Sequence, residues 1–239
     1  MLAGMAARFI DGYRGLLLDM GRTFMFEGDR FGDGERFAES YAELGGWRIE
    51  EERVVRIVRA LFSSLIRASD DSSLFETFPA VREQLESLPE ARGVPSEEKS
   101  RLAAVFARHE IGTIPETCAT ALKELAGSHV LGVVSNIWSP PQIFLDEFDR
   151  AGVRDCFETI VFSSDHRCIK PSPRLIGKAL GMMALSPQHA AFVGDSWERD
   201  LQPARALGMG TIHVTREATA ADCAIGDLAD LLSATRGAP

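Results

Sequence analysis

Short apolar runs that stop on a polar or acidic residue recur along this chain, and they restrict its architecture more than any other feature. They are GLLLD (15–19), VLGVVSN (130–136), TIVFSS (159–164), AAFVGDS (190–196) and GTIHV (210–214). Runs this brief, apolar at consecutive positions, suit interior strands of a parallel sheet covered on both faces. Between them lie patterns of helical period: PPQIFLDEFDRAG (140–152), SPRLIGKALGMMAL (172–185) and RDLQPARALGM (199–209). Strand and helix in alternation predict an α/β protein on a doubly wound parallel sheet.

The long stretch between Asp19 and Val130 breaks that rhythm. Four segments in it read as amphipathic helices: 34–46, 50–68, 78–88 and 96–109, the third being short enough to be a turn instead. Both ends of the stretch must return to the sheet, so a helical insertion after the first strand fits better than an independent terminal domain. The expected division is a core of residues 1–26 and 112–239 with a helical cap at 27–111. A helix at 115–128, with Pro115 suited to its first turn, would feed the second strand.

Composition narrows the function classes. The chain has 239 residues and a formal net charge of -9, which argues against a nucleic-acid partner, because such binding is driven by phosphate neutralisation. No apolar run approaches the roughly 18 residues of a membrane span, and the N-terminus lacks the pattern of a secretory leader. The four cysteines (118, 156, 168, 223) form no C-x-x-C pair and no metal-finger spacing. A cytoplasmic protein with free thiols is expected.

The candidate chemistry lies where the strands end. In a parallel sheet the carboxyl ends of the strands open onto the ligand crevice. Asp19 follows the first strand, Ser135 and Asn136 the second, and Asp195 and Ser196 the fourth. Lys170, one of four lysines in the chain, precedes Pro171 and Pro173 in CIKPSPRLI, where the prolines stiffen the backbone ahead of a helix. Two carboxylates converging at one edge repel each other, and a hard divalent cation such as Mg²⁺ relieves that repulsion while drawing in a phosphate. Asp19 then has the makings of a nucleophile, with Ser135 and Lys170 holding the displaced oxygens. Ser135, Asn136 and Lys170 are the candidate substrate-binding groups.

LLLDMGRTF, VVSN, KPSPRLI and VGDSWERD, in that order and spacing, resemble the four motifs of the haloacid dehalogenase-like hydrolase superfamily. The resemblance covers about residues 12–26 and 112–235 and puts the helical insertion where that family carries a small cap. It implies a phosphatase acting on a small phosphorylated molecule through an aspartyl-phosphate on Asp19. By the same resemblance Asp19, Asp195 and the Gly21 carbonyl would bind Mg²⁺, Lys170 would neutralise paired negative charges, and Asp200 would orient the lysine or a metal-bound water. Family members that dephosphorylate alcohols usually carry a second aspartate, the general acid, at the position of Gly21. General acid catalysis is worth about a hundred- to ten-thousand-fold. Its absence leaves two alternatives open: a 2-haloacid dehalogenase-type hydrolase, whose halide leaves without a proton, and a weakened phosphate-binding protein.

Overall fold

The computed structural model describes residues 7–234; the outermost residues of the expected core segments lie outside that range. Six parallel strands form one sheet in the order β3-β2-β1-β4-β5-β6: β1 Gly15–Leu18, β2 Val130–Ser135, β3 Phe157–Phe162, β4 Ala190–Gly194, β5 Gly210–Val214 and β6 Cys223–Ile225. The α/β class and the parallel sheet are as expected. Leu18 stands level with Val133 on one side and Val193 on the other, so β1 lies in the middle of the sheet. The chain leaves β1 toward β2 and β3, then crosses to β4. That reversal of direction opens the crevice at the carboxyl edge beside β1.

Alternation along β1 shows how both faces are covered. Leu16 and Leu18 belong to one buried cluster with Leu122 of α5 (Glu116–Ala126) and Phe148 of α6 (Gln142–Ala151). Leu17 faces the other way, into a cluster with Ile176 and Leu180 of α8 (Arg174–Met182) and Ala204 of α9 (Gln202–Ala206). Successive side chains of a strand point to opposite faces, so consecutive apolar residues are what a doubly covered strand needs.

The insertion forms α1 (Phe37–Glu43), α2 (Glu51–Asp70), α3 (Val81–Ser87) and α4 (Ser96–Glu110), with a hydrophobic cluster of its own. On α2, Val54, Ile57, Val58, Leu61 and Leu65 are buried at the three- and four-residue spacing of one helix face. The 78–88 pattern is a helix over Val81–Ser87 and not a turn.

Some boundaries differ from expectation. Ser163 and Ser164 belong to the short helix α7 (Ser163–His166), which follows β3 directly. The 199–209 pattern divides into a π-helical turn, Trp197–Leu201, and α9. Strand β6 is an apolar run of only three residues, Cys223–Ile225, too short to read as a strand from sequence. It is recruited by pairing with β5.

Two linkers join the helices to the sheet, and they pair with each other. Phe26 and Thr113 exchange backbone hydrogen bonds at 2.9 and 2.7 Å, Asp29 N–H donates to the Glu110 carbonyl at 3.1 Å, and Arg30 N–H donates to that of His109 at 2.8 Å. Glycine permits this close approach: a Cβ on Gly28 would meet the Glu110 carbonyl oxygen at 2.7 Å, and one on Gly112 the Phe26 carbonyl oxygen at 2.4 Å. The Arg30 guanidinium donates to the carbonyls of Glu27, Arg108 and Ile111, pinning both linkers at once. No helix among the described residues is long and apolar enough to cross a membrane. All four cysteines are free.

Candidate active site

A cavity of about 640 Å³ opens at the carboxyl edge of β1, β2 and β4, between the sheet and the helices. Asp19 forms its floor. The Asp19 backbone N–H donates to the Val193 carbonyl at 2.9 Å, which fixes the residue as the last rung between β1 and β4. Its Oδ1 accepts hydrogen bonds from Ser135 Oγ at 3.0 Å and Lys170 Nζ at 2.6 Å. Those bonds leave the second carboxylate oxygen without a protein partner among the described residues.

Lys170 is 2% exposed and donates to three oxygens: Asp19 Oδ1, Asp200 Oδ1 at 2.7 Å, and the Val134 carbonyl at 2.8 Å. Burial pulls an ammonium down, but the Asp19 and Asp200 carboxylates outweigh it and hold Lys170 above its ordinary value. The lysine therefore stays charged. Asp200 lies inside the π-helical turn and is 2% exposed; burial pushes its carboxyl up while Lys170 pulls back. Its Oδ2 accepts from Ser196 N–H at 3.1 Å. A Cβ on Gly194 would sit 2.5 Å from that oxygen, which is why β4 ends in glycine. The N-cap of the turn is Ser196, whose Oγ accepts from Arg199 N–H.

Asn136 lines the cavity with its amide already engaged. Its Oδ1 accepts from Lys170 N–H at 2.8 Å and its Nδ2 donates to the Lys170 carbonyl at 3.0 Å. This clamp holds the lysine-bearing loop against the end of β2.

Asp195 completes the floor. Carboxylate oxygens of Asp19, Asp195 and Asp200 all lie within 4.8 Å of one another. Burial raises the Asp195 carboxyl, and the Asp19 charge raises it further. Three converging carboxylates faced chiefly by one lysine are an oxygen-only donor set with surplus negative charge, the chemistry that suits a hard divalent cation. Gly21 borders the same space; its backbone φ is ordinary and a Cβ there would meet nothing within 4 Å. Neither sterics nor conformation demands glycine at this position.

Three groups beyond those expected also shape the site. His213 Nε2 lies 3.0 Å from the Asp195 carbonyl, with Nδ1 at 2.7 Å from Thr219 Oγ1, so the ring braces the loop that carries Asp195. Glu110, at the end of α4, accepts from Trp138 N–H at 2.6 Å and Ser139 N–H at 2.9 Å and ties the insertion to the loop after β2. Full burial pushes its carboxyl up to about 7 despite those donors. Arg22 adopts φ +54°, with its guanidinium 3.8 Å from Asp195. Nothing in the local sequence marks Glu110 or His213, because the contacts that tie them to the site, to Trp138 and Ser139 and to the Asp195 carbonyl, lie well away in the chain. Trp138 packs against Phe62 and Phe106, and Trp197 against Arg205, so both tryptophans serve packing.

The family model for haloacid dehalogenase-like hydrolases matches residues 97–214. The match takes in Ser135, Lys170, Asp195 and Asp200, and Asp19 joins them through the sheet. Over residues 97–214 the chain is a haloacid dehalogenase-like hydrolase domain. A curated relative, the phosphoserine phosphatase of Thermus thermophilus, is 28% identical over 156 residues, which are 62% of this chain and 62% of that protein. The chain thus spans less than two thirds of that relative's length. Among solved structures, a haloacid dehalogenase-like phosphatase from Thermococcus onnurineus superposes with a TM-score of 0.63 at 19% identity, covering 93% of this chain and 99% of that one. A 2-haloacid dehalogenase from Pseudomonas syringae pv. Tomato superposes with 0.62 at 21% identity, covering 92% and 96%. At such identities the structural likeness bears on fold alone.

Proposed function

We propose that this haloacid dehalogenase-like hydrolase is a Mg²⁺-dependent phosphatase of small phosphorylated metabolites, working in the cytoplasm through an aspartyl-phosphate on Asp19. The observation that carries this reading is the floor of the cavity. One oxygen of Asp19 is fixed by Ser135 and Lys170 and the other is left free, next to two further carboxylates. A fixed carboxylate with one unengaged oxygen is a positioned nucleophile. Asp19, Asp195 and the Gly21 carbonyl would hold Mg²⁺, whose charge offsets that of the phosphoryl group. Lys170 and Ser135, which reach Asp19 in this structure, would turn to the phosphoryl oxygens of a bound substrate, while Asn136 holds the lysine in register and Asp200 orients its ammonium. Residues 27–111 act as a cap, and the phosphatase name of the Thermus thermophilus relative supports phosphate as the group removed.

A dehalogenase has one observation in its favour, the missing side chain at Gly21, since halide needs no proton. The carboxylate cluster weighs against it: displacement at carbon has no use for a divalent cation. Release of phosphate from p-nitrophenyl phosphate that needs Mg²⁺ and is lost in Asp19→Asn is the expected result. Halide release from a 2-haloacid without added metal, in the absence of phosphate release, would replace this reading with the dehalogenase. Failure of both, with retained thermal stabilisation by phosphate, would leave a binding protein.

A further inference from the structure

If the chain is a phosphatase, the proton for its leaving group must come from somewhere other than position 21. We propose that Asp29, on the linker entering the helical insertion, is the general acid and base that stands in for the side chain Gly21 lacks. The inference rests on the phosphatase reading and adds to it a catalytic residue.

Elimination among the acids of the cavity comes first. Asp19, Asp195 and Asp200 form the floor and are committed to nucleophile, cation and lysine. Glu110 is buried with both carboxylate oxygens taken by backbone N–H groups, so it has no free oxygen to offer. Only Glu27 and Asp29 remain among the acidic residues lining the cavity.

Both stand on the same linker, and the backbone brace favours Asp29, whose N–H is bonded to the Glu110 carbonyl. In an in-line displacement the leaving oxygen departs on the side of phosphorus opposite the nucleophile. Asp19 attacks from the sheet, so the leaving oxygen faces the wall supplied by the linkers and α2, where Asp29 sits with Gly28, Gly112 and Ile66. Its backbone is held in place by the bond to the Glu110 carbonyl and by φ +53°, a conformation aspartate tolerates better than most residues. Asp29 is exposed on the wall of the cleft, and the protein beside it raises its carboxyl toward the protonated form an acid requires; Arg22 draws it down and Asp19 pushes it further up. Glu110 is the other charged group near enough to feel it.

The chemistry balances. An Asp19 oxygen bonds to phosphorus as the phosphorus–oxygen bond to the leaving group breaks, and the departing oxygen takes the Asp29 proton to leave as a neutral alcohol. Water then attacks phosphorus, Asp29 carboxylate takes a proton from that water, and the bond to Asp19 breaks to release phosphate. Asp29 ends protonated and Asp19 ionised, as they began.

The test compares wild type, Asp29→Asn and Glu27→Gln on a series of substituted phenyl phosphates, from p-nitrophenyl to p-methoxyphenyl, with Mg²⁺ present. Asparagine suits the same backbone conformation; Asp29→Gly, equally at ease there, is the second variant, and thermal midpoints verify folding. Asp29→Asn is expected to lower kcat/KM by about tenfold or less with the p-nitrophenyl ester, whose leaving group departs unaided. With the p-methoxyphenyl ester a fall of about a hundredfold or more is expected. Intact mass should also show a phosphoryl adduct on Asp29→Asn that wild type does not accumulate, because hydrolysis of the aspartyl-phosphate loses its base. Equal loss across the series, no loss at all, or the split appearing in Glu27→Gln instead would each overturn the assignment while leaving the phosphatase standing. A wild-type chain that releases no phosphate from any ester removes the parent reading and this inference with it.

Discussion

Replacing Lys170 by methionine keeps the reach of the side chain and removes its charge, and it probes the assembly on which the site depends. In wild type the ammonium lies 2.6 Å from Asp19 and 2.7 Å from Asp200, with both it and Asp200 2% exposed. Removing one partner of a buried ionic cluster strands the others and costs about 3–5 kcal/mol. At roughly 2–4 °C per kcal/mol for a chain of this size, the thermal midpoint should fall by about 6–20 °C. The sign with pH follows from linkage. Burial raises the Asp200 carboxyl and Lys170 draws it back; without the lysine it titrates further above its unfolded value, so the folded state binds more protons, and the deficit grows as pH rises through that window. Urea melts in EDTA, which keeps any divalent cation from compensating, measure both effects. Asp200→Asn in the Lys170→Met background should recover part of the loss, giving a coupling of at least about 1 kcal/mol in a double-mutant cycle. A Lys170→Met penalty below about 1 kcal/mol, or one that shrinks toward alkaline pH, would refute the argument that this lysine neutralises the floor.

Glu110 gives a second pH signature. Its folded value of about 7, above the ordinary carboxylate range, means the folded state binds more protons, so this residue's contribution to stability declines as pH rises from about 4.5 to 7, and Glu110→Gln should flatten that decline in melts run across the window. Adding Mg²⁺ to about a hundred times its dissociation constant should stabilise wild type by about 2.7 kcal/mol, and Asp195→Asn should abolish the shift in a thermal melt. Gly21→Ala, with open space around its Cβ and an ordinary φ, should raise stability by roughly 0.4–1 kcal/mol in a urea melt, chiefly by restricting the unfolded chain. Arg30→Ala, which loses three carbonyl partners across the linkers, should speed amide exchange at 26–30 and 109–113 far more than in the sheet.

The legible part of the fold was the part whose signal is local. Leu16, Leu17 and Leu18 announce a doubly covered strand because both neighbours in the chain and both faces of the sheet make the same demand. Asp19, Ser135, Lys170 and Asp195 were readable as candidates because parallel strands all present the same end to the crevice, so a polar residue after each run is carried to one edge by topology alone. Strand β6 escaped because CAI is too short to read as a strand and takes its conformation from hydrogen bonds to β5. The π-helical turn at Trp197–Leu201 escaped for a related reason. A helical period persists through it, and the displacement that brings Asp200 onto Lys170 shows only in three dimensions.

Asp29 and Glu110 lie beyond that kind of reading, and the cause is physical. They meet because residues 26–30 pair with 109–113, a contact between the two ends of the insertion that no periodicity within either segment encodes. The same pairing explains why the cavity's two walls obey different rules. The sheet side is set by strand ends and hydrogen-bonded in depth, with Lys170 alone reaching three oxygens. The linker side hangs on a few backbone bonds, one arginine and two glycines that let the chains touch. A nucleophile tolerates little misplacement, since small errors in position cost large factors in rate, and it sits on the rigid wall. The proton carrier proposed above, Asp29, would stand on the linker wall, braced there by its N–H bond to the Glu110 carbonyl.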